Sequence, residues 1–572
     1  DAQQAAQFAR LWPNAGALAA PTAQTIDAWA AAAGALGRID HLVWFATGDG
    51  AASVEALLDY RAGSAEVLAC FHAIKALLAQ GYAEAALEWT LIVRDGDGDP
   101  TQAALQGLIA SAVKEHAGWS LRLIDLGAAA AADPLPAAQI AAIPADSQGR
   151  AWIHRACQWS RERLRPVPLP ARTDGGFRED GVYLIVGGAG GVGEVFTEHL
   201  LRRYRARVVW IGRRPADAQI AAKLARLAAL GPAPTYVQAD ATDPAALARA
   251  RAEALRAHGR IHGVIHSAIE LHDQALAAMD AARFEQAFAT KARIAVNLLR
   301  AFADDGLDGL LLFSSLVSYS RDAGQSNYSA GSLYQDALAR HLATRYGHRV
   351  KTLNWGFWGD IGATAALPPR VRERFAQAGI GALRPVEAMA ALEAFAHAAL
   401  PQLAALHRLN GQGLRVPEPA AQAQAPAPSA PSAAASLAAS SAAQPQRASE
   451  PAPQPEIEPK SEPEPASDRT VAVIDLEAYV KDALLAQLAA TLKLAPERID
   501  PDGAFAGYGV DSISSVKIVR ALNDALGIEL AGTSLFDHSS VNKLVRHVLQ
   551  EHDGDKLRNA ARAAQAPAAP AA

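Results

Sequence analysis

Val186-Gly187-Gly188-Ala189-Gly190-Gly191-Val192-Gly193 is the stretch whose context decides the fold. It follows an apolar run from Gly181 to Val186 that reads as a buried strand, and it opens onto a helical stretch from Glu194 to Tyr204. Gly188, Gly190 and Gly193 satisfy GxGxxG, while Gly187, Gly191 and Gly193 satisfy GxxxGxG. Glycines let the backbone turn tightly and approach a pyrophosphate, and the helix N-terminus behind them supplies amide donors and the positive end of a dipole. Alone the pattern is weak, because tight helix–strand packing also selects glycine. A strand before it and a helix after it are the required context. Further short apolar runs at Arg207 to Ile211, Thr235 to Gln238, Gly263 to His266, Gly309 to Phe313 and Val350 to Trp355 alternate with helical stretches. The alternation predicts an α/β doubly wound, Rossmann-like parallel sheet over residues 175–412.

The strand after the turn ends Trp210-Ile211-Gly212-Arg213-Arg214. An acidic residue there would bond a free ribose 2′-hydroxyl; arginine suits a 2′-phosphate by charge and by its forked donors. Arg213 and Arg214 therefore point to NADPH rather than NADH. Asp240 and Ala241, after the next strand, and His266, Ser267 and Ala268, after the one following, are expected to line the same crevice.

Ser315 ends a strand and Tyr328 opens a helix 13 residues later. Reducing a carbonyl needs a phenol to protonate the nascent alkoxide, a hydroxyl to hold the oxygen and an ammonium to lower the phenol's pKa. The residue four after Tyr328 is Ser332, not lysine, so the cation must come from elsewhere. The second unit has three lysines, Lys223, Lys291 and Lys351; Lys223 is expected on the far, adenosine side, and Lys291, on the helix before the Ser315 strand, is the candidate.

Residues 1–174 show a second α/β alternation, with strands at His41 to Ala46, Leu87 to Val93 and Leu121 to Leu126 and a helix at Ala65 to Ala79. No glycine turn or catalytic constellation occurs there, so a structural role is expected. Residues 413–470 form a Pro/Ala-rich segment; 12 of the 33 prolines fall between 417 and 465, a composition unable to offset its ordering entropy and expected to be a flexible linker. Residues 471–552 predict a small all-α four-helix bundle, with helices at Leu476 to Leu494, Ser512 to Leu526 and Val541 to Glu551 and a shorter turn at Ser534 and Phe536. Residues 553–572 resemble the linker in composition. Within the bundle lies Gly509-Val510-Asp511-Ser512-Ile513, where a serine at a helix start would by itself be an N-cap.

The 572 residues exceed what one hydrophobic core holds. A net charge of −5 gives no electrostatic reason to expect nucleic acid, and Cys70 and Cys157 alone support neither a disulfide framework nor a metal site. No run of 18 apolar residues is free of charge, so no membrane span is expected. The chain opens at Asp1 with no signal segment and reads as a piece of a longer cytoplasmic protein.

The second unit resembles the short-chain dehydrogenase/reductase family, and specifically a modular polyketide synthase ketoreductase. The match runs through 187–193, Gly212-Arg213-Arg214, His266-Ser267-Ala268, Thr290-Lys291-Ala292, Phe313-Ser314-Ser315, Asn327-Tyr328-Ser329-Ala330-Gly331 and Asn354-Trp355-Gly356. The resemblance implies an upstream catalytic lysine, fitting Lys291, and a truncated, non-catalytic Rossmann subdomain before the active one. It departs at Ser332, where asparagine is common, and at Val186, where threonine is common. Leu271-His272-Asp273 keeps the last aspartate of a Leu-Asp-Asp pattern, and Ser320 stands where the opposite stereochemical class has tryptophan; both imply a D (3R) alcohol, with Asp273 in stereocontrol.

Residues 471–552 similarly resemble an acyl carrier protein through Gly509-Val510-Asp511-Ser512-Ile513 and Leu535-Phe536-Asp537. That implies 4′-phosphopantetheine on Ser512, added by a phosphopantetheinyl transferase, and a carrier-bound β-ketoacyl chain as substrate. Neighbouring domains would include a ketosynthase and either an acyltransferase or a dehydratase. The rival readings are a silent or epimerising reductase half on a carrier scaffold, and a fatty-acid synthase fragment.

Overall fold

The computed structural model describes most of residues 15–409 and 475–561. Residues 1–14, 410–474 and 562–572 and short breaks elsewhere lie outside the described residues, and with them the expected 413–470 linker and most of the 553–572 tail.

The first unit is one sheet of five strands: β1 (His41–Phe45), β2 (Leu87–Val93), β3 (Trp119–Asp125), β4 (Trp152–Arg155) and β5 (Gln158–Arg161), in that spatial order. β1 to β4 are parallel and β5 returns antiparallel against β4. The three strands expected from sequence are present; the β4–β5 hairpin was not expected, because its pairs, such as Trp152 opposite Arg161 and His154 opposite Trp159, mix aromatic and charged residues. Helices Tyr60–Ala79 and Pro100–Glu115 cross between strands. The aspartates Asp59 and Asp99 cap them, each accepting two first-turn amides, and Pro100 occupies the position where a missing N–H costs nothing.

The second unit holds β6 (Val182–Val186), β7 (Arg207–Gly212), β8 (Thr235–Gln238), β9 (Gly263–His266), β10 (Gly309–Ser315), β11 (Val350–Trp355), β12 (Ile380–Gly381), β13 (Gln402–Ala405) and β14 (His407–Arg408). Seven form one sheet in the order β13-β11-β10-β9-β6-β7-β8, every pair parallel, while β12 and β14 pair antiparallel apart from it. The chain winds outward from β6 through β7 to β8, then returns to β9 on β6's other side. The crevice of a doubly wound sheet opens where strand order reverses, here between the C-terminal ends of β6 and β9, with Val186 in register with His266.

The two units share one core. Tyr60–Ala79 and Pro100–Glu115 pack against helices Ala281–Phe302 and Ser326–Arg345 of the second unit, and a continuous buried cluster runs from Phe71, Ile74 and Leu105 to Phe284, Phe288 and Tyr334. Phe71 stacks on Phe284 with ring centroids 4.5 Å apart. A Cβ at Gly107 would lie 2.8 Å from the main-chain carbon of Ser329, so the two helices touch backbone to backbone beside Tyr328.

Beyond the linker, helices Leu476–Leu492, Ser512–Leu526, Ser534–Asp537 and Val541–Glu551 enclose a separate core. Val480, Leu484 and Leu488, spaced four apart, present one fully buried stripe to Ile518, Leu522, Leu544 and Val548.

Replacing a helix-interior glycine by alanine normally stabilises by about 1 kcal/mol. At Gly107 the new methyl meets backbone that cannot swing aside, and overpacking costs about 1–3 kcal/mol. Gly107→Ala is therefore expected to lower the thermal midpoint; an unchanged or raised midpoint in a melting experiment would refute this packing.

Candidate active site and carrier serine

The glycine turn sits at the end of β6 and is held from below. Gly187 has φ +81°, and a Cβ there would be 2.6 Å from the Ala268 nitrogen, so the turn rests on Ser267–Ala268. A Cβ at Gly188 would be 2.1 Å from the Trp210 indole. That fully buried indole donates to Thr197 Oγ1 at 2.8 Å, and the Thr197 hydroxyl donates to the Gly193 carbonyl at 2.7 Å. Gly190 precedes helix Gly191–Tyr204 with no side-chain cap and is exposed, and a Cβ there would find only the Gly187 oxygen within 4 Å. Uncapped first-turn amides at Gly191, Val192 and Gly193 beside an open glycine fit a dinucleotide pyrophosphate.

Arg213 and Arg214 are exposed at the end of β7. Arg213 reaches across the crevice to Glu270 at 2.8 Å, and Arg214 pairs with Asp217 at 3.3 Å. Lys223 donates to the Ala189 carbonyl within the turn at 2.9 Å and pairs with Glu194, nearer the phosphate end than expected from sequence. Asp240 accepts from the amide and hydroxyl of Thr242, and Asn297 donates to the carbonyls of Ala241 and Thr242 at 2.9 and 3.0 Å. His266 is completely buried and held neutral by burial and by the nearby Lys291 charge, so whatever it offers a nucleotide comes from its main chain. Ser267 and Ala268 are half-buried beside it.

Ser315 at the end of β10, Tyr328 on helix Ser326–Arg345 and Lys291 on helix Ala281–Phe302 converge beside this turn. Tyr328 is 6% exposed. Burial pushes its phenol well above the ordinary tyrosine value, Ser315 and, less strongly, Ser332 favour the ionised form, and Asp273 and Asp336 push it higher. Lys291 Nζ donates to the Phe313 carbonyl at 2.7 Å and stands 5.8 Å from the centre of the Tyr328 ring. Burial lowers the lysine to about 8, with Asp336 pulling the other way. Ser332 lies one helical turn beyond Tyr328, with its buried hydroxyl close enough to bear on the phenol. Asp273 accepts from Gln325 Nε2 at 2.6 Å, close enough to bear on the phenol.

Asp336, two turns beyond Tyr328, was not singled out in the sequence. It is fully enclosed, accepts from Ser318 Oγ and Asn354 Nδ2 at 2.7 Å each and from Gln402 Nε2 at 3.2 Å, and burial raises its carboxyl. The spacing 328, 332, 336 is a polar stripe on one helix face, and that periodicity was a signal available to find it.

In the carrier bundle Ser512 opens helix Ser512–Leu526; its side chain, with Gly509 and Asp511, lies outside the described residues. Val510 between them is buried, and its amide donates to the Phe505 carbonyl at 3.2 Å, tying the preceding loop to the core.

A parallel doubly wound sheet with a glycine turn, a serine at a strand end and a lysine and a tyrosine on the two helices beside it is the frame of the short-chain dehydrogenase/reductase class. Residues 181–360 match the family described as KR domain, and residues 482–548 match the phosphopantetheine attachment site. The chain is 42% identical over 397 residues to polyketide synthase ThaG of Burkholderia thailandensis, covering 68% of this chain and 7% of that protein. It is 38% identical over 383 residues to polyketide synthase PksN of Bacillus subtilis, covering 66% of this chain and again 7% of the relative. Among solved structures, "Structure of A-type Ketoreductases from Modular Polyketide Synthase" aligns with a TM-score of 0.55 at 28% identity, covering 67% of this chain and 82% of that one. The chain carries the ketoreductase and carrier domains of a polyketide synthase module. It spans a small fraction of the length of these curated relatives.

Ser512→Ala is expected to leave the bundle folded and to abolish mass gain when the chain is incubated with a phosphopantetheinyl transferase and coenzyme A. Loading of that variant, read by intact-mass spectrometry, would move the attachment point to another residue.

Proposed function

We propose that this chain reduces a β-ketoacyl thioester, held on the phosphopantetheine arm of Ser512, to the β-hydroxyacyl thioester, with NADPH as reductant. The observation that carries the reading is the convergence of Ser315, Tyr328 and Lys291 beside an uncapped glycine turn, in a chain that also holds a carrier domain. NADPH, when bound, supplies the hydride. Gly187, Gly188, Gly190, Gly191, Val192 and Gly193 would hold its pyrophosphate, and Arg213 and Arg214 its 2′-phosphate. Asp240, Ala241, His266, Ser267 and Ala268 would line the remainder.

Ser315 holds the ketone oxygen and Tyr328 gives it a proton as charge develops there. The raised phenol stays protonated at neutral pH, which suits an acid. The Lys291 ammonium stabilises the phenolate left behind, and the Phe313 carbonyl fixes where that ammonium sits. Ser332 adds a hydroxyl within reach of the phenol. The ketosynthase and either an acyltransferase or a dehydratase would supply and receive the chain.

We further read the product as the D (3R) alcohol. Asp273 accepts from Gln325 beside Tyr328, and Ser320 stands where the other class has tryptophan. Chiral chromatography of the alcohol decides it; an L product overturns this assignment alone.

The experiment is NADPH oxidation by the purified chain with a β-ketoacyl thioester mimic. Tyr328→Phe should lose about 10²–10⁴-fold in kcat, the range for a removed general acid. Wild-type-like turnover in that variant would remove Tyr328 from the role.

The pH dependence follows from Lys291. Its pKa falls from 10.5 to about 8 in the fold, so the charged form is lost as pH rises through about 8. Reduction should therefore decline above about pH 8, while Tyr328 remains protonated. Folding behaves oppositely: the cost of burying the charge is present below about 8 and is relieved between there and 10.5. Falling rate together with an improving lysine contribution to stability, absent in Lys291→Met, is the expected signature. A wild-type rate flat from pH 7 to 10 would refute it.

A further inference from the structure

The first unit reaches into the second at one place with unusual economy. Helix Pro100–Glu115 ends at Glu115, whose two carboxylate oxygens serve different loops: Oε2 accepts from the Leu276 amide at 2.6 Å and Oε1 from the Gly324 amide at 3.0 Å. The first loop follows Asp273; the second leads through Gln325 into the helix of Tyr328. Those loops are also tied to each other, by the Gln274 amide to the Gly324 carbonyl at 2.9 Å and by Gln325 Nε2 to Asp273 at 2.6 Å. Neighbouring side chains of the first unit grip the same segments. Lys75 Nζ donates to the carbonyls of Leu276 and Ala277 at 2.9 and 2.5 Å, and Lys114 Nζ to the carbonyl of Ser320 at 2.6 Å. The Ser111 hydroxyl donates to the carbonyl of Asp322.

We propose that Glu115 is a positioning residue: one carboxylate from the non-catalytic unit clamps both loops flanking Tyr328 and so sets the face on which the ketone is presented. The inference rests on the ketoreductase reading and deepens it. Charge-assisted bonds from an enclosed carboxylate are among the strong ones, and here a single group sets the spacing between two segments distant in sequence from it. Burial raises this carboxyl to about 7, with the Leu276 and Gly324 amides and Lys75 pulling the other way. Glutamine keeps the shape but offers one acceptor; its amide nitrogen would face an N–H donor and release one loop.

The test uses the full chain with NADPH and a β-ketoacyl thioester mimic, comparing wild type, Glu115→Gln and Lys75→Met. The ratio of alcohol epimers, KM, kcat and nucleotide affinity are read together. Losing one charge-assisted bond should erode the epimer ratio by about tenfold or more. KM should rise while nucleotide affinity stays at the wild-type value. Lys75→Met keeps the carboxylate and removes the second grip, so it should shift the ratio in the same direction and decides the matter if Glu115→Gln does not fold. Folded variants with wild-type epimer ratio and KM but a lower melting midpoint would make Glu115 a strut and overturn the proposal. An inactive wild type would remove the ketoreductase reading and this inference together, whereas an active wild type with unchanged variants removes the clamp alone.

Discussion

The backbone contact between helices Pro100–Glu115 and Ser326–Arg345 is the constraint on which the rest of the molecule depends. The second of these helices presents Tyr328 at its start and Asp336 two turns on, and its far side is pressed against Gly107 with no side chain between. A helix held that closely cannot rotate by a fraction of a turn without breaking backbone contact. Cores packed to crystal density transmit displacement rather than absorbing it. The first unit therefore defines where the tyrosine stands while lacking any glycine turn of its own.

Beneath the tyrosine the same helix carries charge inward. Asp336 is enclosed by Ser318, Asn354 and Gln402, and its charge bears on both Lys291 and the Tyr328 phenol. Burial lowers the lysine to about 8, and the nearby Asp336 carboxylate pulls it the other way. Removing either partner from such a set costs more than the pair contributes, because the survivor is left buried and unmatched.

Much of this was legible in the chain. β2, β8, β9 and β11 fell where the sequence put them; β2, β9 and β11 are buried along almost their whole length, as strands covered on both faces are, while β8 is a half-exposed edge strand. Ends drifted where amide geometry decides: helix Gly191–Tyr204 begins three residues before the expected Glu194, at the glycines themselves. Ser315, Tyr328 and Lys291 were found by chemistry plus spacing, and the structure brings them together. Glu115 and Asn297 were invisible for a common reason. Their partners are main-chain groups or side chains far away in sequence, and no local pattern announces which carbonyl or amide a buried side chain will meet.

The division between a fixed site and a tethered substrate follows from the same economics of order. Under the proposed function the carrier arm raises the local concentration of ketone, so the crevice need not bind the acyl chain tightly to be filled. Binding that is equal in ground and transition states would only slow release. What the protein must then supply is orientation, and orientation is what its rigid parts provide. A backbone-tight helix sets the tyrosine, a carbonyl sets the lysine, and a carboxylate from the neighbouring unit spans the two loops flanking Tyr328. A second Rossmann-like unit packed against these loops holds segments that could not hold themselves, since loops carry few buried contacts of their own.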